Sequence, residues 1–218
     1  GLNCMDVVSD HPYTALYLAS PEVQGLEEDM QNLQQLIQRD NHGQTKPIWI
    51  TEMGWTTANL YVSEQTQANY LVRGMILGLA AGVQKIFWYD LLNDGSDNAV
   101  VQQNFGLLRV PDQEKLYTPK PAYTAYAVLV HELAGRQFLR RASVTPGVFD
   151  MLFSSNLHVL WTTLLKKNIV LTTDHPVTAI SLTGRVQTLQ PVGGKIMLSL
   201  SGEPVYIQGT ISGVSSDD

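Results

Sequence analysis

Apolar and polar positions along the first 135 residues keep two alternating periods. Short apolar runs at residues 5–9, 48–52 and 84–89 read as strands, and the stretches between them repeat apolar positions at helical spacing. Over residues 21–39 these positions are Val23, Leu26, Met30, Leu33, Leu36 and Ile37, with an acidic first half suited to a helix N-terminus. Ser63, followed by Glu64 in the first turn, opens a second helix that runs to Gly82. Each interval between strands is long enough for a crossover helix. The order strand, helix, strand, helix, strand therefore predicts a parallel sheet with right-handed crossovers. A third helix spans 121–133, with Pro121 at its first position and Gly135 as its left-handed cap.

After Arg136 the period changes. The runs FDMLFSS, LHVLWTTLL, NIVLTT, VTAISL, GKIMLSLSG and PVYIQGTI are separated by Pro, Gly, Asn and Asp at fairly even spacing. This pattern predicts an antiparallel β-sandwich over 136–218, with 1–135 as a separate domain. The terminal GVSSDD reads as frayed, and no internal repeat is evident.

Composition narrows the partners. The 218 residues are 44% apolar and 16% charged, with a formal net charge of −6. Basic residues pair only at Arg140/Arg141 and Lys166/Lys167, which argues against nucleic acid or an anionic membrane as partner. The longest apolar run, 75–83, is about half of a membrane span. Cys4 is the only cysteine, so neither an internal disulfide nor a cysteine-rich metal site is expected. His42, His131, His158 and His175 are scattered, with no zinc spacing, and no metal or organic cofactor is predicted. Asp90, Asn93, Asp94 and Asp97 suggest calcium at first sight, but Gly95 is misplaced for an EF-hand loop and turn chemistry explains the cluster.

The stretch KPIWITEMGWTT carries the candidate chemistry. Ile48, Trp49 and Ile50 read as a strand buried on both faces, Trp49 as core filling, and Glu52 as its last rung before Gly54. A buried unpaired charge costs several kcal/mol, so Glu52 is paired (Lys46 being one partner), turned to solvent, or retained for chemistry. His11 and Tyr13 end the first strand, and Trp88 and Tyr89 end the third. Parallel sheets bind ligands at the carboxyl ends of their strands, where all three groups fall. A carboxylate with an aromatic floor and a His/Tyr pair suits a sugar: aromatic faces stack on C–H surfaces, and the carboxylate can act at the anomeric carbon. Glu132 reads as a solvated helix residue, and Trp161 and Tyr206 as core of the second domain.

The ordered set HPY, WITEMGW, FWYDLLNDG, NFGLLR and KPAYTAYAVL resembles the sixth to eighth strands and final helix of the clan A retaining glycoside hydrolases. The resemblance covers residues 5–133, and the sandwich matches in type alone. It implies an α/β fold, the C-terminal portion of a (β/α)8 barrel with about three strands, followed by a β-sandwich. It also implies a retaining glycosidase for a β-linked sugar or oligosaccharide. By the resemblance Glu52 is the catalytic nucleophile, Trp88 the aromatic platform, and His11, Tyr13 and Tyr89 substrate-binding or orienting residues. The family's acid/base, a carboxyl after an asparagine at the fourth strand, has no counterpart here. The expectation is therefore a fragment, completed by an N-terminal barrel half or by another chain. The alternative is a carbohydrate-binding or scaffold protein of the same fold without turnover. Location is not fixed by the sequence; the resemblance alone suggests secretion.

Overall fold

A computed structural model describes residues 4–13, 17–111, 117–143 and 145–217. The chain is mixed α/β and divides into two compact units between Tyr123 and Thr124. That division falls inside the third helix, Pro121–Leu133, whose far end adjoins the expected boundary at Gly135.

In the first unit β1 (Val8–Asp10), β2 (Ile48–Met53) and β3 (Lys85–Trp88) form a parallel sheet in that order. Helix α1 (Leu26–Asp40) follows β1 and α2 (Glu64–Ala80) follows β2, as the periodicity predicts. Two boundaries move. The first strand begins at Val8, not residue 5, and Val23 precedes α1 in a turn where it is exposed. Ser63 caps α2 as expected, its hydroxyl accepting from the Thr66 N–H at 3.0 Å. Short strands β4 (Leu108–Arg109) and β5 (Thr118–Pro119) pair before α3 (Pro121–Leu133).

The two faces of the parallel sheet differ. Ile48, Ile50 and Met53 are buried. Glycines in α2 let it lie close on this layer: a Cβ on Gly78 would sit 2.6 Å from Ile86 Cδ1, and one on Gly74 3.2 Å from Met53 Cε. The opposite face carries Trp49, with the Lys85 ammonium 4.1 Å above its ring, and Phe87, which is half exposed. Trp49 is thus not a core residue; its indole N–H is shielded yet has no hydrogen-bond partner among the described residues. The physical reason is cover: a parallel strand is buried on both faces only when both faces are packed, and here packing comes from the α2 side.

The second unit is antiparallel throughout. Strands β6 (Phe138–Arg141), β7 (Val148–Phe153), β8 (Leu157–Thr162), β9 (Lys167–Thr172), β10 (Val177–Ile180), β11 (Val186–Leu189), β12 (Lys195–Leu200), β13 (Val205–Gln208) and β14 (Gly213–Ser216) make two sheets. The larger has the order β11-β10-β13-β8-β7-β6, the smaller β12-β9-β14. One apolar cluster draws on both: Val148, Leu160, Val177 and Ile207 from the first, Ile169, Leu171, Ile196 and Leu200 from the second. Trp161 and Tyr206 are fully buried, as core residues should be. Two expectations fail. The supposedly frayed tail is β14, paired with β9, and Glu132 is 12% exposed in its side chain and pairs with Arg136 one helical turn on.

A buried ion pair ties the turn before α1 to α2. Arg73 and Glu22 side chains are 5% and 9% exposed, Arg73 Nε donates to Glu22 Oε1 at 2.8 Å, and a second guanidinium nitrogen reaches Oε2. Removing Arg73 takes away the guanidinium that neutralises the buried Glu22 carboxylate. Arg73→Met should therefore lower unfolding free energy by about 3–5 kcal/mol in urea titrations, and adding Glu22→Leu should recover most of the loss.

Candidate active site

Glu52 owes its direction to an irregularity in β2. Ile50 pairs with Ile86 and Met53 with Trp88, so three steps on β2 oppose two on β3. An extra residue in one strand reverses the alternation of side chains beyond it. Ile50 and Met53 thus both face α2, and Thr51 and Glu52 between them are only partly buried. Gly54 closes the strand where no side chain fits: its Cβ would lie 2.0 Å from the Tyr89 carbonyl oxygen. The Tyr89 N–H donates to Met53 O at 2.9 Å, which sets the ends of β2 and β3 side by side.

Glu52 remains 41% exposed in its side chain, and its partner is His11, with Nδ1 at 3.6 Å from Oε2. That spacing forms an ion pair when the imidazole is protonated. The other ring nitrogen of His11 lies 2.8 Å from Thr51 Oγ1, which fixes the ring orientation. The Tyr13 hydroxyl is shielded and makes no hydrogen bond of ordinary geometry among the described residues. Burial first, and then the negative charge of Glu52, push its pKa well above the phenol range. Tyr89 is also pushed up, by burial, then by Asp94, Asp90 and Glu52, and its hydroxyl is 3.5 Å from Asp94 Oδ2. Both phenols therefore stay neutral beside the carboxylate and keep a proton to donate.

The structure brings His11, Tyr13, Glu52 and Tyr89 together. Trp88 it places elsewhere: two residues after Ile86, the indole stacks on Trp55 at 6.0 Å, on the α2 side of the sheet. Its N–H reaches Phe105 O at 3.4 Å. Phe105 instead gathers the aromatic groups near Glu52, with Tyr13, Tyr17 and Tyr89 at 6.3, 5.4 and 5.4 Å, each packed edge-on. Sequence reasoning missed Phe105, Tyr17 and Lys120. The only local hint for Lys120 is its place between Pro119 and Pro121, which fixes the backbone on both sides.

A cavity of about 790 Å³ lies between the end of β1 and α1, lined by Asp10, His11, Tyr13, Met30, Leu33 and Arg39 among others. It touches two of the site residues but not Glu52, so volume alone does not mark the chemistry. A polar cavity of about 330 Å³ lies under the loops after β2 and β3, with Lys120, Asn93, Asn104 and the Glu64–Arg109 pair in its wall. The Asp90–Asp97 loop is held by turn bonds, including Ala99 N–H to Asp97 Oδ1 at 2.9 Å. Among the described residues no group of three or more His, Cys, Asp or Glu is placed to hold a metal.

No family profile matches the chain, and no curated protein matches its sequence. Among solved structures, a family 39 glycoside hydrolase from the gut symbiont Bacteroides cellulosilyticus WH2 matches 83% of this chain at a TM-score of 0.72 and 25% identity. The chain spans only 38% of that protein. SrfJ from Salmonella typhimurium (TM-score 0.41, 15% identity, 83% of this chain and 37% of that one) and a hyperthermophilic beta-glucosidase from Pyrococcus furiosus (0.35, 20%, 50% and 22%) are too distant in shape to bear on the reading. The first match shows that the chain has a glycoside hydrolase fold over most of its length.

Asp90 adds a pH dependence. One of its oxygens, Oδ1, is buried without a hydrogen bond among the described residues, and burial, then Asp94, raise its pKa from 3.8 to about 6, against the pull of Lys120. The folded chain holds this proton to higher pH than the unfolded one, so stability falls as pH rises through that window. Denaturation at steps from pH 4 to 7 should show this fall in the wild type and a flatter profile in Asp90→Asn; identical slopes would contradict the assignment.

Proposed function

We propose that this chain is the C-terminal part of a retaining β-glycosidase, and that Glu52 is its nucleophile. The observation that carries the reading is the placement of Glu52 at the carboxyl end of a parallel strand, partly exposed and beside His11, Tyr13 and Tyr89. The likeness to a family 39 glycoside hydrolase supports the same reading. In this account the first unit is three strands of a (β/α)8 barrel and the second a β-sandwich.

A Glu52 oxygen attacks the anomeric carbon as the glycosidic C–O bond breaks, and the departing oxygen takes a proton from a second carboxyl about 5 Å away. Water, deprotonated by that second group, then attacks the same carbon, the bond to Glu52 breaks, and the sugar leaves with retained configuration. Tyr13 and Tyr89 donate hydrogen bonds to the carboxylate or to substrate hydroxyls, and His11 orients Glu52. The Tyr89 ring offers the face on which sugar C–H groups rest, while Trp88 backs the strand end through Trp55. The proposed cycle uses two carboxyls and water, with no cofactor.

The second carboxyl comes from the barrel strands that complete the sheet, whether earlier in the same polypeptide or in another chain. Two features support an incomplete sheet. Each of β1 and β3 has one edge without a strand among the described residues, and the Trp49–Lys85–Phe87 face is only partly covered, with Phe87 half exposed. Unpaired edges and open apolar faces are what further strands would cover.

The test uses the protein at the length its gene encodes, with a panel of aryl β-glycosides. Glu52→Gln should lower kcat by about 10⁴-fold or more, with sugar binding preserved. Turnover within tenfold of the wild type would remove Glu52 from the mechanism. Binding without hydrolysis in the wild type would favour the non-catalytic carbohydrate-binding alternative.

A further inference from the structure

Lys120 is 1% exposed, and its ammonium has three acceptors: Thr57 Oγ1 at 3.0 Å, Asn93 Oδ1 at 2.9 Å and Asn104 O at 3.1 Å. These belong to the loop after β2, the loop after β3, and the 3-10 turn Val101–Asn104. A buried ammonium is costly, and a position that needed only filling would take an apolar side chain. What an ammonium alone supplies is three donors from one atom.

The acceptors lead to the site. Asn104 O also receives the Thr57 N–H at 3.0 Å and the Thr57 hydroxyl at 3.1 Å. The next residue is Phe105, whose carbonyl is held by Gln67 Nε2 at 3.1 Å. Its ring is the surface on which Tyr13 and Tyr89 pack. Gly106 follows with no room for a side chain, since a Cβ would sit 2.1 Å from Asn93 N. Ammonium, carbonyl, ring and phenols form one continuous set of contacts ending beside Glu52.

We propose that Lys120 is a positioning residue for Glu52: by tying the two loops to Asn104 it sets the Phe105 ring, and through it the Tyr13 and Tyr89 phenols that face the carboxylate. Its chemical meaning rests on the reading of Glu52 as nucleophile; the coupling itself does not.

The charged groups that act on Lys120 are Glu64 and Asp90, which favour the ammonium, and Arg109, which with burial opposes it. Burial wins and lowers the pKa from 10.5 to about 8. Between those values the folded chain has lost a proton that the unfolded chain keeps, so stability rises with pH. In the same window the neutral amine has two N–H groups for three acceptors, so one of the three ties is lost and the cluster around Asn104 loosens. A merely structural lysine would not make fold stability and site order change in opposite directions.

The experiment is NMR of the 218-residue chain, labelled at lysine Cε and tyrosine Cζ, from pH 6 to 9.5. Lys120 is expected to titrate near pH 8, with Tyr13 and Tyr89 signals moving at the same midpoint while Tyr206, in the other unit, stays still. In Lys120→Met that step should vanish. Flat Tyr13 and Tyr89 signals through the lysine titration would overturn the proposal, and this wild-type result decides even if the variant does not fold. In the active enzyme, folded Lys120→Met should lose about 10- to 100-fold in kcat with KM nearly unchanged, and full retention of kcat would also overturn it. An inactive wild type would sink the reading of Glu52 and leave the measured coupling standing.

Discussion

One extra residue in β2 decides where the carboxylate goes. Had β2 kept register with β3, Glu52 would share the face of Ile48 and Ile50 and enter the layer under α2. There the side chains of Met53 and Ile86 already pack against Gly74 and Gly78, in a layer closed to solvent. Burial of an unpaired carboxylate in that layer would cost several kcal/mol. The irregularity between Ile50 and Met53 instead returns Met53 to the helix side and leaves Glu52 on the open one. Gly54 against the Tyr89 carbonyl then fixes the ends of the two strands, so that Tyr89 and Glu52 belong to one site.

Around that carboxylate the electrostatics are asymmetric. Groups that keep their protons, Tyr13 and Tyr89, stand next to Glu52, whose side chain is 41% exposed. The rest of the site is held by bonds to backbone carbonyls more than by ion pairs: Asn104 and Phe105 are gripped by Thr57, Lys120, Gln67 and Trp88. Such contacts fix the site in advance, which is the preorganisation that the proposed reaction would call for.

Much of this was legible in the residues. The periods gave the strands and helices of the first unit in order, Ser63 marked the start of α2, and Gly54 marked the end of β2. The residues that escaped are those whose direction is settled by register or by tertiary packing. Trp88 and Tyr89 are adjacent, and nothing local says which of them faces α2; pairing with β2 does. Trp49 reads as core because its neighbours are apolar, yet burial depends on what covers the face. Lys120 stands between two prolines with no acceptor in its own segment, and only the folded chain brings Thr57, Asn93 and Asn104 to it. The final strand, poor in apolar residues, owes its order to the unpaired edge of β9.

As the proposed nucleophile, Glu52 bonds covalently to a sugar carbon through one carboxylate oxygen. The direct measurement treats the gene-length protein with activated 2-deoxy-2-fluoro-β-glycosides, which slow release of the intermediate, followed by peptide mass spectrometry. One added fluoroglycosyl group is expected on the peptide containing Glu52, lost again on prolonged incubation with water. Inactivation with the label on another carboxylate, or steady hydrolysis of the same sugars with no label on Glu52, would contradict it.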